Sequence, residues 1–168
     1  MKKLVILLAV LVAATPVMAQ WGNLQAISIK HWKVSKDFTL AVAAMMPEDG
    51  YDFKPNPEEM VFGQLMFHIA SSNAGSCGMV IGKKLPIQKP EKFDKATVTK
   101  ILTESFDFCL SAQESMTDQQ ADALTGPEGR QSTGVERLWS AFTHTAHHRG
   151  QAEVYLRVKG LKPPQYRF

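Results

Sequence analysis

Three histidines sit in the string His144-Thr145-Ala146-His147-His148-Arg149-Gly150-Gln151. On a helix, His144 and His148 leave the same face one turn apart, with about 5–6 Å between their Cβ atoms. Two imidazoles at that spacing can hold one metal ion, but they need a third ligand from another element. Three neutral imidazoles on a divalent ion leave at least one position for water or an anion, as in catalytic zinc sites. A bound ion lowers the pKa of that water or polarises a substrate oxygen or sulfur. The glutamate of a His-Glu-x-x-His metalloprotease motif is missing, because Thr145 stands in its place. That disfavours a zinc protease.

The elements that must position these groups read as helices. Gln20–Met46 carries apolar or semi-apolar residues at Ile27, His31, Val34, Phe38, Ala41 and Met45, a helical stripe ended by Pro47 and Gly50. Tyr51–Pro55 is an extended linker. Asn56-Pro57-Glu58-Glu59 predicts a helix start, with Asn56 as cap and Pro57 at the first position. That second helix runs to about Ile81, with an inward stripe of Val61, Leu65, His68, Ser72, Gly75 and Met79, and Gly82 stops it. Lys83–Phe93 is longer than an antiparallel pair requires, so it can cross the bundle and leave helices two and three parallel.

A third helix from about Asp94 to Met116 turns Val98, Ile101, Leu102, Ser105, Cys109, Ala112 and Met116 inward. Thr117–Thr133 reads as a loop with one short turn. A last helix from about Gly134 to Lys159 places Leu138, Ala141, Thr145, His148, Ala152 and Tyr155 on its inner face, and Gly160 with Pro163-Pro164 ends it. No segment alternates with period two. The expected architecture is all-α, a single four-helix bundle with a long crossover between helices two and three.

His68 is the candidate third ligand. A lone histidine on an apolar stripe is more often a hydrogen-bonded core residue than a ligand. Depth alters the balance, because His68 falls near the midpoint of its helix and His144 and His148 bracket the midpoint of theirs. Packed helices of similar length have their midpoints at similar heights whichever way they run, so the three imidazoles converge at one level. His147 sits 60° from His144 and 100° from His148 around the helix. Its neighbours by phase are Ser140, Thr143 and Val154, a mixed outer face. His31 has three readings open: fourth ligand, acid/base beside the metal, or core histidine.

Around the histidines, Gln151 falls near His144 in helical phase and can orient a ligand or a water. Arg149 points away from the pair, toward a salt link with a neighbouring helix. Tyr155 is a core residue or a donor to substrate. Ser72 and Gly75 either leave a pocket beside the metal or let helices approach.

The first residues look separate from the fold. Met1-Lys2-Lys3 precedes the apolar run Leu4–Ala14, and small residues stand before Gln20. This pattern predicts a secretory signal peptide over residues 1–19, cleaved after Ala19. The run is short for a bilayer, which needs about 20 apolar residues. Export to the periplasm or the medium follows, with no stable membrane insertion. Losing Lys2 and Lys3 lowers the formal net charge from +3 to +1, which argues against a nucleic-acid partner. The two cysteines, Cys77 and Cys109, would then meet an oxidising compartment. A disulfide is open, because both fall inside helices whose relative depth nothing in the sequence fixes. Neither belongs to a CxxC motif. Trp21, Trp32 and Trp139 can pack a core or the face of a homodimer.

At this point the chain resembles the DinB/YfiT-like superfamily of metal-binding four-helix bundles. The resemblance rests on Phe53-Lys54-Pro55, on the Phe62–Ile69 stretch containing His68, and on His144-x-x-His147-His148-Arg149-Gly150-Gln151 followed by Tyr155-Leu156-Arg157. The ending Gly160–Pro164 fits too. The resemblance implies a divalent metal, commonly nickel or zinc, held by His68, His144 and His148. It also implies relatives that are thiol-dependent transferases, alongside members with no known reaction. An exported chain departs from cytosolic members and puts a cytosolic thiol cosubstrate in doubt. Three hypotheses follow: a metal-dependent transferase or hydrolase on a small molecule, a non-catalytic metal- or ligand-binding bundle, and a structural bundle with polar core histidines.

Overall fold

The structure, a computed structural model, describes residues 21–168. The expected signal peptide, residues 1–19, lies outside the described residues. Four long helices carry the fold: α1 (Trp21–Met45), α2 (Phe62–Ile81), α3 (Lys95–Ser115) and α5 (Gly134–Val158). A short α4 (Asp118–Asp122) lies in the α3–α5 connection, where one turn was expected. Glu48–Gly50 forms a single 3-10 turn after α1.

The order of directions is up, down, down, up. Gln25 and Ser28 near the start of α1 bond to Gln113 near the end of α3, and Lys95 at the start of α3 reaches the end of α1 at Ala44 and Met46. Those two helices are therefore antiparallel. The α2 and α3 helices are parallel, as the long crossover predicts. Gly63 at the head of α2 abuts Phe93 just before α3, and Cys77 near the foot of α2 is disulfide-bonded to Cys109 near the foot of α3. The bridge that the sequence left open is thus made, across a Cα–Cα distance of 5.3 Å.

The start of α2 corrects the sequence reading. Asn56 does not cap a helix there. Its side chain accepts from the Glu58 N–H, its carbonyl accepts from Glu59, and the chain turns. The helix begins at Phe62, where tertiary acceptors take the first free donors: Phe62 N–H donates to the Phe53 carbonyl and Gly63 N–H to that of Tyr51, both at 2.8 Å. A Cβ on Gly63 would stand 2.2 Å from the Phe93 carbonyl oxygen, so only glycine lets α2 sit this close. At its other end Gly82 caps α2 with φ 64°.

The inward faces of α1 and α2 are also turned from expectation. On α1 the buried line is Trp32, Ser35, Phe38, Thr39, Val42 and Met46, while Ile27 is 56% and Met45 43% exposed. The stripe is rotated by about one residue because Ser35 and Thr39 go inward to meet a buried arginine. On α2 Gly75 and Met79 are exposed, and the buried set widens to Leu65, Met66, Ile69, Ala70, Asn73 and Cys77. The width follows from α2 packing on both α3 and α5. The inner faces of α3 and α5 match the reading at Val98, Leu102, Cys109, Leu138, Ala141, Ala152 and Tyr155, and they also bury Phe106 and Leu156, which it did not include. Of the tryptophans whose side chains are described, Trp32 is core and donates to the Phe106 carbonyl, whereas Trp139 is 68% exposed.

Candidate metal centre

The α2 and α5 helices run antiparallel, so residues near 68 on one lie against residues near 144–148 on the other. Thr133 caps α5 through a reciprocal pair with Glu136, which fixes where its histidines begin to count. The Nε2 atoms of His68, His144 and His148 form a triangle whose three sides are each 3.1 Å. Each imidazole is half-buried, and the rings meet at steep angles of 56°, 90° and 71° rather than stacking flat. Among the described residues these three are the histidine, cysteine, aspartate or glutamate side chains that converge closely enough to hold a metal ion.

The arrangement fits a metal on its own chemistry. The centre of a 3.1 Å triangle lies about 1.8 Å from each corner, just inside the ~2.0–2.1 Å zinc–imidazole bond. One ion can therefore reach all three nitrogens. Protonation states agree. Gln151 Oε1 lies 2.6 Å from His148 Nδ1. An amide oxygen only accepts, so Nδ1 carries the proton and Nε2 keeps its lone pair for the triangle. Burial first, and then the neighbouring imidazoles of His148, His68 and His147, push the His144 pKa down from 6.5 to about 4. Burial also lowers the His148 pKa, partly opposed by Gln151. Two rings of the triangle thus favour their neutral, ligating form at neutral pH. His144 Nδ1 is buried without a hydrogen-bond partner.

The surrounding residues sort differently from their helical phases. Gln151 orients His148 rather than His144, through the three-residue spacing. Thr145 is fully buried and donates to Asn73 Oδ1 at 3.0 Å, so the glutamate position of the protease motif is occupied by a core hydroxyl. Tyr155 is a core residue that donates to the Met60 carbonyl at 2.8 Å. Gly75 does not wall a pocket beside the triangle. It lines a cleft under the α2–α3 crossover with Ala74, Gly78 and Lys83.

His147 is exposed, its ring 4.8 Å from that of His148. His31 is not a fourth ligand. It lies at the α1–α5 seam, stacked on Phe168 at 4.3 Å. Arg149 does reach the neighbouring helix α1, but among the described residues no carboxylate receives it. Nη1 donates to Ser35 Oγ at 3.0 Å and Thr39 Oγ1 at 3.3 Å, and the guanidinium lies 4.5 Å from the Phe38 ring. The sequence offered little warning of this, since Ser35 and Thr39 lie outside the apolar stripe of α1.

Known proteins agree with this architecture. The chain is 26% identical over 136 residues to the protein YjoA of Bacillus subtilis (strain 168), across 79% of this chain and 88% of that one. The crystal structure of that DinB-like protein superposes with a TM-score of 0.69 at 23% identity, covering 84% of this chain and 98% of its own. A DinB-like protein from Bacillus cereus superposes with a TM-score of 0.71 at 19% identity, covering 83% and 95%. These likenesses establish the helical fold. The family model described as DinB matches residues 18–168, nearly the whole chain, and the protein belongs to the DinB family.

Proposed function

We propose that this is an exported DinB protein that binds a divalent metal, zinc or nickel, through His68, His144 and His148, and acts as a metal-dependent transferase or hydrolase on a small molecule. The observation that carries the reading is the 3.1 Å triangle of Nε2 atoms with no carboxylate in the set. A divalent ion there supplies a Lewis acid that activates a bound water or thiol.

The chain's own residues do the rest. Gln151 holds His148 in the ligating tautomer, and burial keeps His144 neutral. The half-buried rings leave a side of the triangle open to solvent. Export is supported by the Cys77–Cys109 bridge, since disulfides persist in oxidising compartments. Among the described residues no helix is long and apolar enough to cross a membrane. Exposed Trp139, with Leu24 and Ile27 near it across the α1–α5 seam, offers a face for a homodimer.

One observation favours a second reading, a non-catalytic metal-binding bundle. The triangle lacks a carboxylate that could act as general base, and Thr145 is locked to Asn73. Elemental analysis of protein purified without chelator tests the metal. His68→Ala is expected to lose most bound metal while its helical circular dichroism stays intact. Full occupancy in that variant would show that the ligand set is wrong. Metal-dependent consumption of a low-molecular-weight thiol by an aryl halide, or of water by an activated ester, then separates the enzyme from the binding bundle.

A further inference from the structure

A second polar centre lies on another face of α5, toward α1. A cavity of about 290 Å³ opens between α1, α5 and the C-terminal tail, walled by Val34, Phe38, Phe142 and Phe168, with Arg149 and His31 among its polar lining. Arg149 is only 7% exposed. Buried charges are normally paired with an opposite charge. Here the partners are two neutral hydroxyls and a ring face. Among the described residues no carboxylate comes within ion-pair distance. Glu153, which also lines the cavity, turns to Arg157 at 3.6 Å.

Among the described residues the hydrogen bonds of Arg149 involve Nη1 alone, and its other nitrogens are not sealed from solvent. One edge of the guanidinium fork is therefore free, and it borders an apolar space. Arg167 adds a second positive charge at the rim. His31 Nδ1, on the same wall, is buried without a partner.

We propose that this cavity is a ligand site, separate from the histidine triangle, that takes a small organic carboxylate with an aromatic or branched apolar body. The free edge of Arg149 holds the carboxylate in the forked geometry that suits a guanidinium. The Phe38, Phe142 and Val34 walls cover the body. A volume of about 290 Å³ lies at the small end of ligand pockets and accommodates a single-ring body.

Calorimetric titration of the full chain with benzoate, 3-phenylpropanoate, benzamide and inorganic phosphate tests the assignment. Saturable binding of at least one carboxylate, with benzamide at least about tenfold weaker, supports it. Equal binding of benzamide, binding of phosphate alone, or no binding of either carboxylate overturns it.

Arg149→Gln is expected to weaken the carboxylate at least about tenfold. Since Arg149 also ties α1 to α5, Gly150→Leu provides an independent variant. A Cβ at Gly150 meets nothing within 4 Å, and the residue stands at the cavity edge, so leucine favours the helix and fills the opening. A folded Gly150→Leu protein that binds the carboxylate as well as the parent overturns the proposal. His68→Ala, which dismantles the triangle, is expected to leave carboxylate binding unchanged. Failure here is thereby distinguishable from failure of the metal reading.

Discussion

The two seams of α5 solve opposite electrostatic problems with adjacent residues. His148 faces α2 and Arg149 faces α1, about 100° apart around one helix. On the α2 side, three imidazoles converge on one spot, with burial lowering the basicity of His144 and His148, so that seam suits a cation. On the α1 side, a guanidinium that cannot readily shed its proton sits among hydroxyls and rings, so that seam is short of an anion. Burial depresses the Arg149 pKa too, with Glu153 and Tyr166 opposing it. A histidine answers burial by going neutral. An arginine stays charged and must be solvated by what surrounds it.

Three measurements break or sharpen this contrast. The largest effect is expected from Ser35→Ala combined with Thr39→Val, which strips both acceptors from Arg149 Nη1. Hydrogen bonds to charged groups contribute about 1.5–3 kcal/mol each. Chemical denaturation should therefore show a loss of about 3 kcal/mol or more, with metal affinity unchanged. A loss below about 1 kcal/mol would mean that Arg149 is solvated from the cavity instead.

Gln151→Leu addresses the other seam. It frees the His148 tautomer, and metal affinity is expected to fall about 10–100-fold, the usual effect of losing a partner behind a ligating histidine. Global stability should move by no more than about 0.5 kcal/mol, as for most surface changes. Unchanged affinity by competition with a chromogenic chelator would show that Gln151 orients nothing.

The smallest effect is the pH dependence of the metal-free protein. The folded His144 pKa of about 4 lies below its unfolded value of 6.5. Above 6.5 both states are neutral and stability is full. As pH falls from 6.5 toward 4 the unfolded chain takes up a proton that the fold refuses, so stability declines across that window. His144→Gln should flatten the decline in thermal melts. An equal slope in the variant would assign it to other groups.

What was legible in the sequence depended on how local its cause was. Helix ends set by Pro47, Gly82 and Gly160 were readable because those residues act on their own backbone. The start of α2 was not, since the Phe53 and Tyr51 carbonyls that receive its first donors come from a separate segment. The i, i+4 pair His144 and His148 was readable from spacing, and His68 joined it through helix-midpoint arithmetic. That arithmetic survived a five-residue error in the start of α2 because one helical turn of slack remains within reach of a long side chain.

The disulfide was not readable, because the register of two parallel helices is set by the path of the crossover. The buried role of Ser35 and Thr39 was hidden for a related reason. Their polarity matches a residue on another helix, and on α1 alone they fall beside an apolar stripe that is complete without them.

The missing side chain at Gly63 reaches further than its own neighbourhood. Its contact is with main-chain oxygen, which cannot rotate out of the way as a flexible side chain can. The height of α2 is therefore governed by backbone crowding at a point a turn and a half from His68 and directed toward the crossover. A single methyl group placed there would act as a shim, lifting one corner of the nitrogen triangle while leaving all its ligands in the sequence.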